Sequence, residues 1–515
     1  MSPIQSSLRT CGHGLGLAAA MAMVVVPTTV FAHGKGHHGN NSNNAPYQSH
    51  KDDYYPSPTN RYMEKRVTVC DQGSFFVGGV LKPTYYPNSR NRASVAQVLM
   101  IGQMYVSFQI PEKYNDWPVI FVSGGAHTGA ALESTPDGRE GWAHHALRKG
   151  IPSFNVDQAG RGRSGFDASA IHEGVALLSD GDPSNDDAGR ALIPNFLTLG
   201  LNTWPFWFGH LVNPATGQPT NGSFSDPYVD ELVPHSWSPL DPDSTAVHEP
   251  GVRTQFPLGW WSEEVIPNDL IPKGEVVSKD FAGPHEYYRL NYYRQLVPNS
   301  EQTLPQGQCP SCNPVLIAGG GSFGPGHTWT SRDVAELVEI LGRNYGGAVI
   351  ATHSQSGPIG HHAIRTLKEH GKLHYLKGLI TVEGTSVTLE GAGLTAEDFD
   401  NIPYLVVKGD FSGTSGASQG IVDSIIARRQ AGHGKAAVEY IKLDEPPNPA
   451  VAWPKPLSRP VMRGITHMMM LGTDEGHGHD SNDIMDMILK WSDKYVSKMK
   501  RTTSCDDKSG HKKHR

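Results

Sequence analysis

Positive charge is in short supply: 44 Lys and Arg stand against 51 Asp and Glu, a formal net charge of -7. A nucleic-acid binder needs a basic field to neutralise phosphates, so that class of function is excluded. Long apolar runs are missing too. The only candidate, LGLAAAMAMVVV near the start, is shorter than the roughly 20 residues that cross a bilayer. No later segment is apolar enough to span, and no retained membrane anchor is expected. Cysteine is sparse, with five in 515 residues. The CPSC segment at 309 to 312 has no second CxxC to accompany it, which argues against a zinc or redox centre.

What is present begins with a secretory pattern. Arg9, the apolar stretch, Pro27 and the small-residue site ending Val30-Phe31-Ala32 read as a signal peptide over 1–32, and imply a secreted or periplasmic location. Cys11 leaves with it. Cys70, Cys309, Cys312 and Cys505 remain, an even number that reads as two disulfides in an oxidising compartment. Three pairings are possible; Cys309 with Cys312 and Cys70 with Cys505 is the pairing expected. Residues 33–60, rich in His, Gly, Asn and Ser, are expected to form a disordered leader, and 500–515 a polar tail. The histidine tracts of these ends read as solvated sequence rather than metal sites. Asn221 in NGS would accept a glycan only in a eukaryotic source.

The chain exceeds the roughly 250 to 300 residues at which a single core stops growing, so a core with an insertion is expected. The 57 Gly and 38 Pro favour many loops over a helical bundle. Apolar runs PVIFVSGG (118–125), IPSFNVD (151–157), GAVIATHS (347–354), LKGLITVEG (376–384), YLVVKGD (404–410) and AVEYIKLD (437–444) alternate with helical periodicity. That alternation predicts an α/β fold with a mostly parallel sheet and helices on both faces. GSFFVGGV and QVLMIGQMYVSFQIP predict antiparallel strands ahead of it. The first part of the core spans 61–167 and the second 330–499, opening with the amphipathic helix SRDVAELVEILGR. Residues 168–329, dense in Pro, Trp and Tyr (NTWPFWFGH, PLGWWSEE, EYYRLNYYRQ), interrupt the pattern and read as a cap insertion. In such sheets ligands sit beyond the carboxyl ends of the strands, so chemistry is sought there.

THSQSG (352–357) follows one of these strands and precedes the helical PIGHHAIRTLKEH. A nucleophile elbow needs a sharp strand-to-helix turn with serine at its apex, which selects Ser354. Thr352 and Ser356 replace the glycines of G-x-S-x-G, so the pentapeptide is weak by itself. A serine hydroxyl needs a base oriented by a carboxylate, and with such an elbow the order along the chain is serine, acid, histidine. His467, in GITHMMML after the last strand, is the base expected; His477 and His479 in DEGHGHD compete with it. Glu383 and Asp410, each ending a strand, are candidates for the acid, and Glu383 is preferred because Gly384 leaves room for the histidine. An oxyanion needs backbone N–H groups, expected from Gln355 and from the turn containing Gly125 and Ala126.

Together VIFVSGGAHTG, ESTPDGREGW, VDQAGRGRSG, TQFPLG, THSQSG, TVEG, VVKGD and GITHMMML resemble, in order and spacing over most of 118–495, a small group of secreted or periplasmic bacterial esterases of the α/β-hydrolase superfamily. The resemblance implies an α/β-hydrolase fold with a large inserted cap. It also implies a triad of Ser354, Glu383 and His467, supporting Glu383 over Asp410. A familiar member of the group has adjacent cysteines where this chain has Gly125 and Ala126, so a disulfide in that loop does not carry over. The expectation is a serine esterase acting on small-molecule carboxylic esters, hydrophobic or aryl given the aromatic insertion, with no metal or organic cofactor. A catalytically silent binding protein on the same fold is the alternative, and lactonase, thioesterase or amidase chemistry uses the same constellation.

Overall fold

Among the described residues nine strands build the central sheet, and helices lie on both of its faces. The structure is a computed structural model that describes residues 67–84, 97–136, 139–193, 196–197, 210–211, 232–233, 292, 294–300, 329–384, 387–409, 416–462, 465–472, 481–499 and 503–504. The expected signal peptide, leader, Cys309, Cys312, Cys505, Asn221, Asp410, His477 and His479 lie outside the described residues, as does most of the expected cap.

The strands in chain order are β1 (Val69–Thr84), β2 (Gln97–Pro111), β3 (Val119–Val122), β4 (Ser153–Asp157), β5 (Ala348–His353), β6 (Leu376–Val382), β7 (Tyr404–Lys408), β8 (Val438–Lys442) and β9 (Ala452–Trp453). Their order across the sheet is β1-β2-β4-β3-β5-β6-β7-β8-β9. β4, β3, β5, β6, β7 and β8 run parallel to one another. The β1–β2 hairpin and β9 add antiparallel edges. The six parallel strands correspond to the six apolar runs of the sequence, each trimmed by one to three residues at an end.

Parallel strands need long crossovers, and α1 (Trp142–Arg148), α2 (Ala168–Leu178), α3 (Trp329–Tyr345), α4 (Ser356–Glu369) and α5 (Gly416–Gln430) lie within them, while α6 (Ser481–Tyr495) follows the last strand. α3 covers the amphipathic segment of the sequence, with Val334, Leu337, Val338 and Leu341 all buried. α2, in the segment read from sequence as an insertion, starts from Asp167, whose carboxylate accepts from Ser169 N–H as an N-cap.

Because side chains alternate across a strand, each strand feeds two cores. On one face Val119, Phe121, Val349, Ile380, Val382, Leu405, Val407 and Ile441 pack under α1 and α6. On the other, Ile120, Val122, Ile350, Leu379, Tyr404, Val406 and Tyr440 pack against α3, α4 and α5. This two-sided burial explains why the strands read as continuous apolar runs rather than alternating ones. Among the described residues no helix is long and apolar enough to cross a membrane.

One buried polar contact ties β8, α6 and the segment leading toward His467. Trp491, fully buried, donates its Nε1–H to Glu439 Oε2 at 2.9 Å, and the same carboxyl group accepts Leu457 N–H. Burial pushes the Glu439 carboxyl above its usual range, while Leu457 and Trp491 oppose that rise. Trp491→Phe removes a donor and leaves a void. A loss of about 1–3 kcal/mol is expected, readable from the urea midpoint; an unchanged midpoint would show the contact to be dispensable.

Candidate active site

Register brings the ends of the central strands level. His353 pairs with Val382, Thr352 with Val122, and Val382 with Val407. The ladder then runs one residue beyond each strand: Ser354 N–H donates to Val382 O at 3.0 Å, and Glu383 N–H to Val407 O at 2.9 Å. Ser354 and Glu383 therefore leave neighbouring strands side by side.

Both turn sharply as they leave. Ser354 has φ 53°, Glu383 φ 50° and Ala126, in the loop after β3, φ 57°. Among the described residues these are the only non-glycine residues with positive φ, and all three were singled out from the sequence for chemistry. Such conformations cost about 1–3 kcal/mol each and persist where surrounding structure over-determines them. At Ser354 the turn leads directly into α4.

The substitutions that weakened the pentapeptide have local explanations. Ser356 is fully buried, and its hydroxyl accepts from His353 N–H at 2.7 Å and lies 2.8 Å from both Val122 O and His353 O. A polar partner for the turn thus stands where glycine would leave space. The room that close strand-loop packing requires is found instead at Gly124, where a Cβ would come 2.8 Å from Ser354 Cβ.

His467 reaches this point on the loop after β9. Its Nε2 is 2.9 Å from Ser354 Oγ and its Nδ1 is 3.2 Å from Glu383 Oε2. Gly409, just past β7, lets that loop approach: a Cβ there would stand 2.4 Å from Ile465 O. Met468, Met469, Met470 and Leu471 are buried and anchor the loop, while the His467 side chain keeps 13% exposure. The apolar run after the histidine and the histidine itself thus serve different purposes.

Glu383 is buried, which opposes ionisation, yet its pKa lies below the usual carboxylate value. The Lys408 charge, the hydrogen bond from His467 and that from Gly409 N–H outweigh the burial. Gly409 N–H donates to Oε1. An ionised carboxylate only accepts, so His467 carries its proton on Nδ1 and presents Nε2 as the acceptor for Ser354 Oγ–H. That is the tautomer a general base at serine needs.

The sequence reading missed three other groups at this place. His353 is held neutral: burial, then the neighbouring His467, take its pKa well below the ordinary value. Its Nε2–H donates to His467 O at 2.8 Å and so fixes the loop carrying the base. Lys408 is buried, with Nζ donating to Gly384 O at 3.1 Å; burial lowers its pKa and the Glu383 charge opposes that. His127 is lowered to about 4 by burial, with its ring 5.6 Å from that of Tyr292. His353 stood inside the elbow motif and Lys408 one residue from a quoted glycine, but nothing in a linear pattern distinguishes a buried polar residue from a solvated one. Gln355 opens α4 beside Ser354, and Gly125 and Ala126 follow Gly124. All six expected site residues are therefore at one place. Among the described residues no three His, Cys, Asp or Glu side chains are grouped to hold a metal ion.

This sheet order, with an elbow after β5 and a histidine loop after the last strands, is the α/β-hydrolase fold. A solved bacterial esterase, described as a novel one at atomic resolution, superposes with TM-score 0.53 at 22% identity, covering 85% of this chain and 100% of that one. The chain is also 27% identical over 236 residues to a protein of Fungal sp. (strain ATCC 74256) described as "Probable secreted lipase phiG". That match covers 41% of this chain and 61% of the length of the relative. No family model matches the chain.

The depressed Glu383 pKa has a consequence for stability. A carboxylate whose folded pKa lies below its unfolded value stabilises the fold above the unfolded value of about 4.3, and that contribution is lost as pH falls through the folded pKa. The gap in unfolding free energy between wild type and Glu383→Gln should therefore narrow from pH 6 toward pH 3. A constant gap across that range would contradict it.

Proposed function

We propose that this protein is a secreted serine hydrolase that cleaves carboxylic esters through an acyl-enzyme on Ser354. The observation that carries this reading is the unbroken chain Ser354 Oγ, His467 Nε2, His467 Nδ1 and Glu383 Oε2, with contacts of 2.9 and 3.2 Å. Ser354 attacks the carbonyl carbon while His467 Nε2 takes the hydroxyl proton. The tetrahedral oxyanion accepts N–H groups of Gln355 and of the Gly125–Ala126 turn. His467 then passes its proton to the leaving alkoxide, and Glu383 stabilises the transient imidazolium. Water, activated by the same histidine, releases the acid.

Ester chemistry and secretion also draw support from the curated relative, whose description names a secreted lipase, and secretion from the pattern of residues 1–32. The Trp- and Tyr-rich insertion at 168–329 favours hydrophobic or aryl esters. A fluorophosphonate probe should label the wild type at Ser354 and leave Ser354→Ala unlabelled. With p-nitrophenyl esters, Ser354→Ala should lose about 10⁴-fold or more in kcat. Equal labelling of the two proteins would overturn the assignment, and activity restricted to small polar esters would overturn the substrate class.

We further propose that Cys70 pairs with Cys505. Thr503 and Ser504 pair with Tyr114 and Lys113 as antiparallel strands, and Cys70 Sγ lies 3.5 Å from the carbonyl of Glu112, the next residue along. Peptide mapping without reduction should yield a linked Cys70–Cys505 peptide. A link from Cys70 to Cys309 or Cys312 would refute the pairing.

A further inference from the structure

The loop from Gly124 to His127 passes directly against Ser354, and each of its carbonyls is held by a donor. Gly124 O accepts from Arg161 Nη1 at 2.7 Å, and His127 O accepts from the same nitrogen at 3.1 Å and lies 3.0 Å from Ser123 Oγ. Gly125 O accepts from His127 Nδ1 at 2.6 Å, and Ala126 O from Val297 N–H at 2.8 Å. The other arm of the Arg161 guanidinium, Nη2, donates to Gln355 Oε1 at 2.8 Å. One side chain thus joins the two separate backbone segments that supply the oxyanion donors.

The direction of these bonds matters because a peptide unit is planar and trans. Anchoring a carbonyl oxygen fixes the opposite direction of the N–H in the same unit. The carbonyl of Gly124 shares its peptide unit with Gly125 N–H, and the carbonyl of Gly125 shares its unit with Ala126 N–H. Arg161 therefore sets the aim of the Gly125 donor, and neutral His127 sets that of Ala126. Through the Gln355 side chain Arg161 also restrains the residue whose N–H follows the nucleophile.

Arg161 is 2% exposed, between the end of β4 and the loop after β3. Burial disfavours its charge, and the Asp157 carboxylate opposes that. Asp157 is itself clasped by Arg163, with Nε 2.8 Å from Oδ2 and Nη2 2.9 Å from Oδ1. Arg161 is thus directed mainly at neutral oxygens of the loop and of Gln355. An arginine fork can hold three oxygens in fixed directions, which a lysine ammonium on its flexible stem cannot.

We propose that Arg161 is a positioning residue for the oxyanion hole, its guanidinium tying the Gly124–His127 loop to Gln355 so that both backbone donors converge beside Ser354. The inference rests on the reading of Ser354 as nucleophile. It places Arg161 behind the loop, away from the substrate, so its removal should weaken the transition state rather than the ground-state complex.

The test uses the full-length protein with p-nitrophenyl esters and an arylboronic acid, which forms a tetrahedral adduct at an active serine. Arg161→Met should lower kcat about 100-fold, the effect of losing one oxyanion donor, with KM changed less than about threefold. Boronate affinity should fall in parallel. Arg161→Lys should be intermediate. Should thermal melting show that Arg161→Met does not fold, Gln355→Met cuts only the Nη2 link and should lower kcat about tenfold at constant KM. Unchanged kcat and boronate affinity in the folded variant would overturn the role of Arg161, as would a loss seen only in KM. In that event fluorophosphonate labelling of wild-type Ser354 would persist. Absence of that labelling would instead sink the nucleophile reading, and the positioning role with it.

Discussion

The structure around the candidate site depends on one constraint: two adjacent parallel strands must end level and then turn abruptly. The ladder holds Ser354 against Val382 and Glu383 against Val407, after which both residues adopt left-handed backbone that a non-glycine residue resists. A free peptide would relax these turns. Here the strands beneath them are buried on both faces, so the sheet retains the strain and the two side chains stay side by side.

Everything else at the site closes on that pair. The histidine loop comes from the far end of the chain, and its fit depends on Gly409 leaving space for Ile465 O and on the buried methionines behind His467. Electrostatics then select the state. Lys408 and Gly409 N–H keep a fully buried Glu383 charged, and a charged Glu383 directs the His467 proton to Nδ1. Neutral His353 and His127 hold backbone carbonyls nearby without adding positive charge. The same few residues thus supply both geometry and protonation state.

The six parallel strands were legible from the sequence because a strand buried on both faces has to be apolar throughout, and the glycine and polar residues that follow mark its end. α3 was legible from its spacing of Val334, Leu337, Val338 and Leu341. Ser354, Glu383 and His467 could be chosen as candidates because each stands at the end of a strand or on a loop beyond one. The elbow motif itself was least informative, since Ser356 meets the needs of the turn with a hydroxyl rather than with an absent side chain. Helix α2, by contrast, went unread inside a segment whose prolines and aromatics obscured local periodicity.

Sequence by itself determined the fold class and the order of the candidate residues, because hydrophobic periodicity and chain order are properties of the string. Only the tertiary structure decided which of those residues meet. Glu383 touches His467 because the end of β6 lies beside Gly409 just past β7, and the loop carrying His467 packs against Gly409, a relation between residues 84 apart that no local pattern encodes. Arg161 likewise reads in sequence as one of two arginines in a glycine-rich turn. Folding buries Arg161 against the loop beside Ser354 and leaves Arg163 on Asp157. The difference lies in desolvation and direction, which come into being when the chain closes on itself.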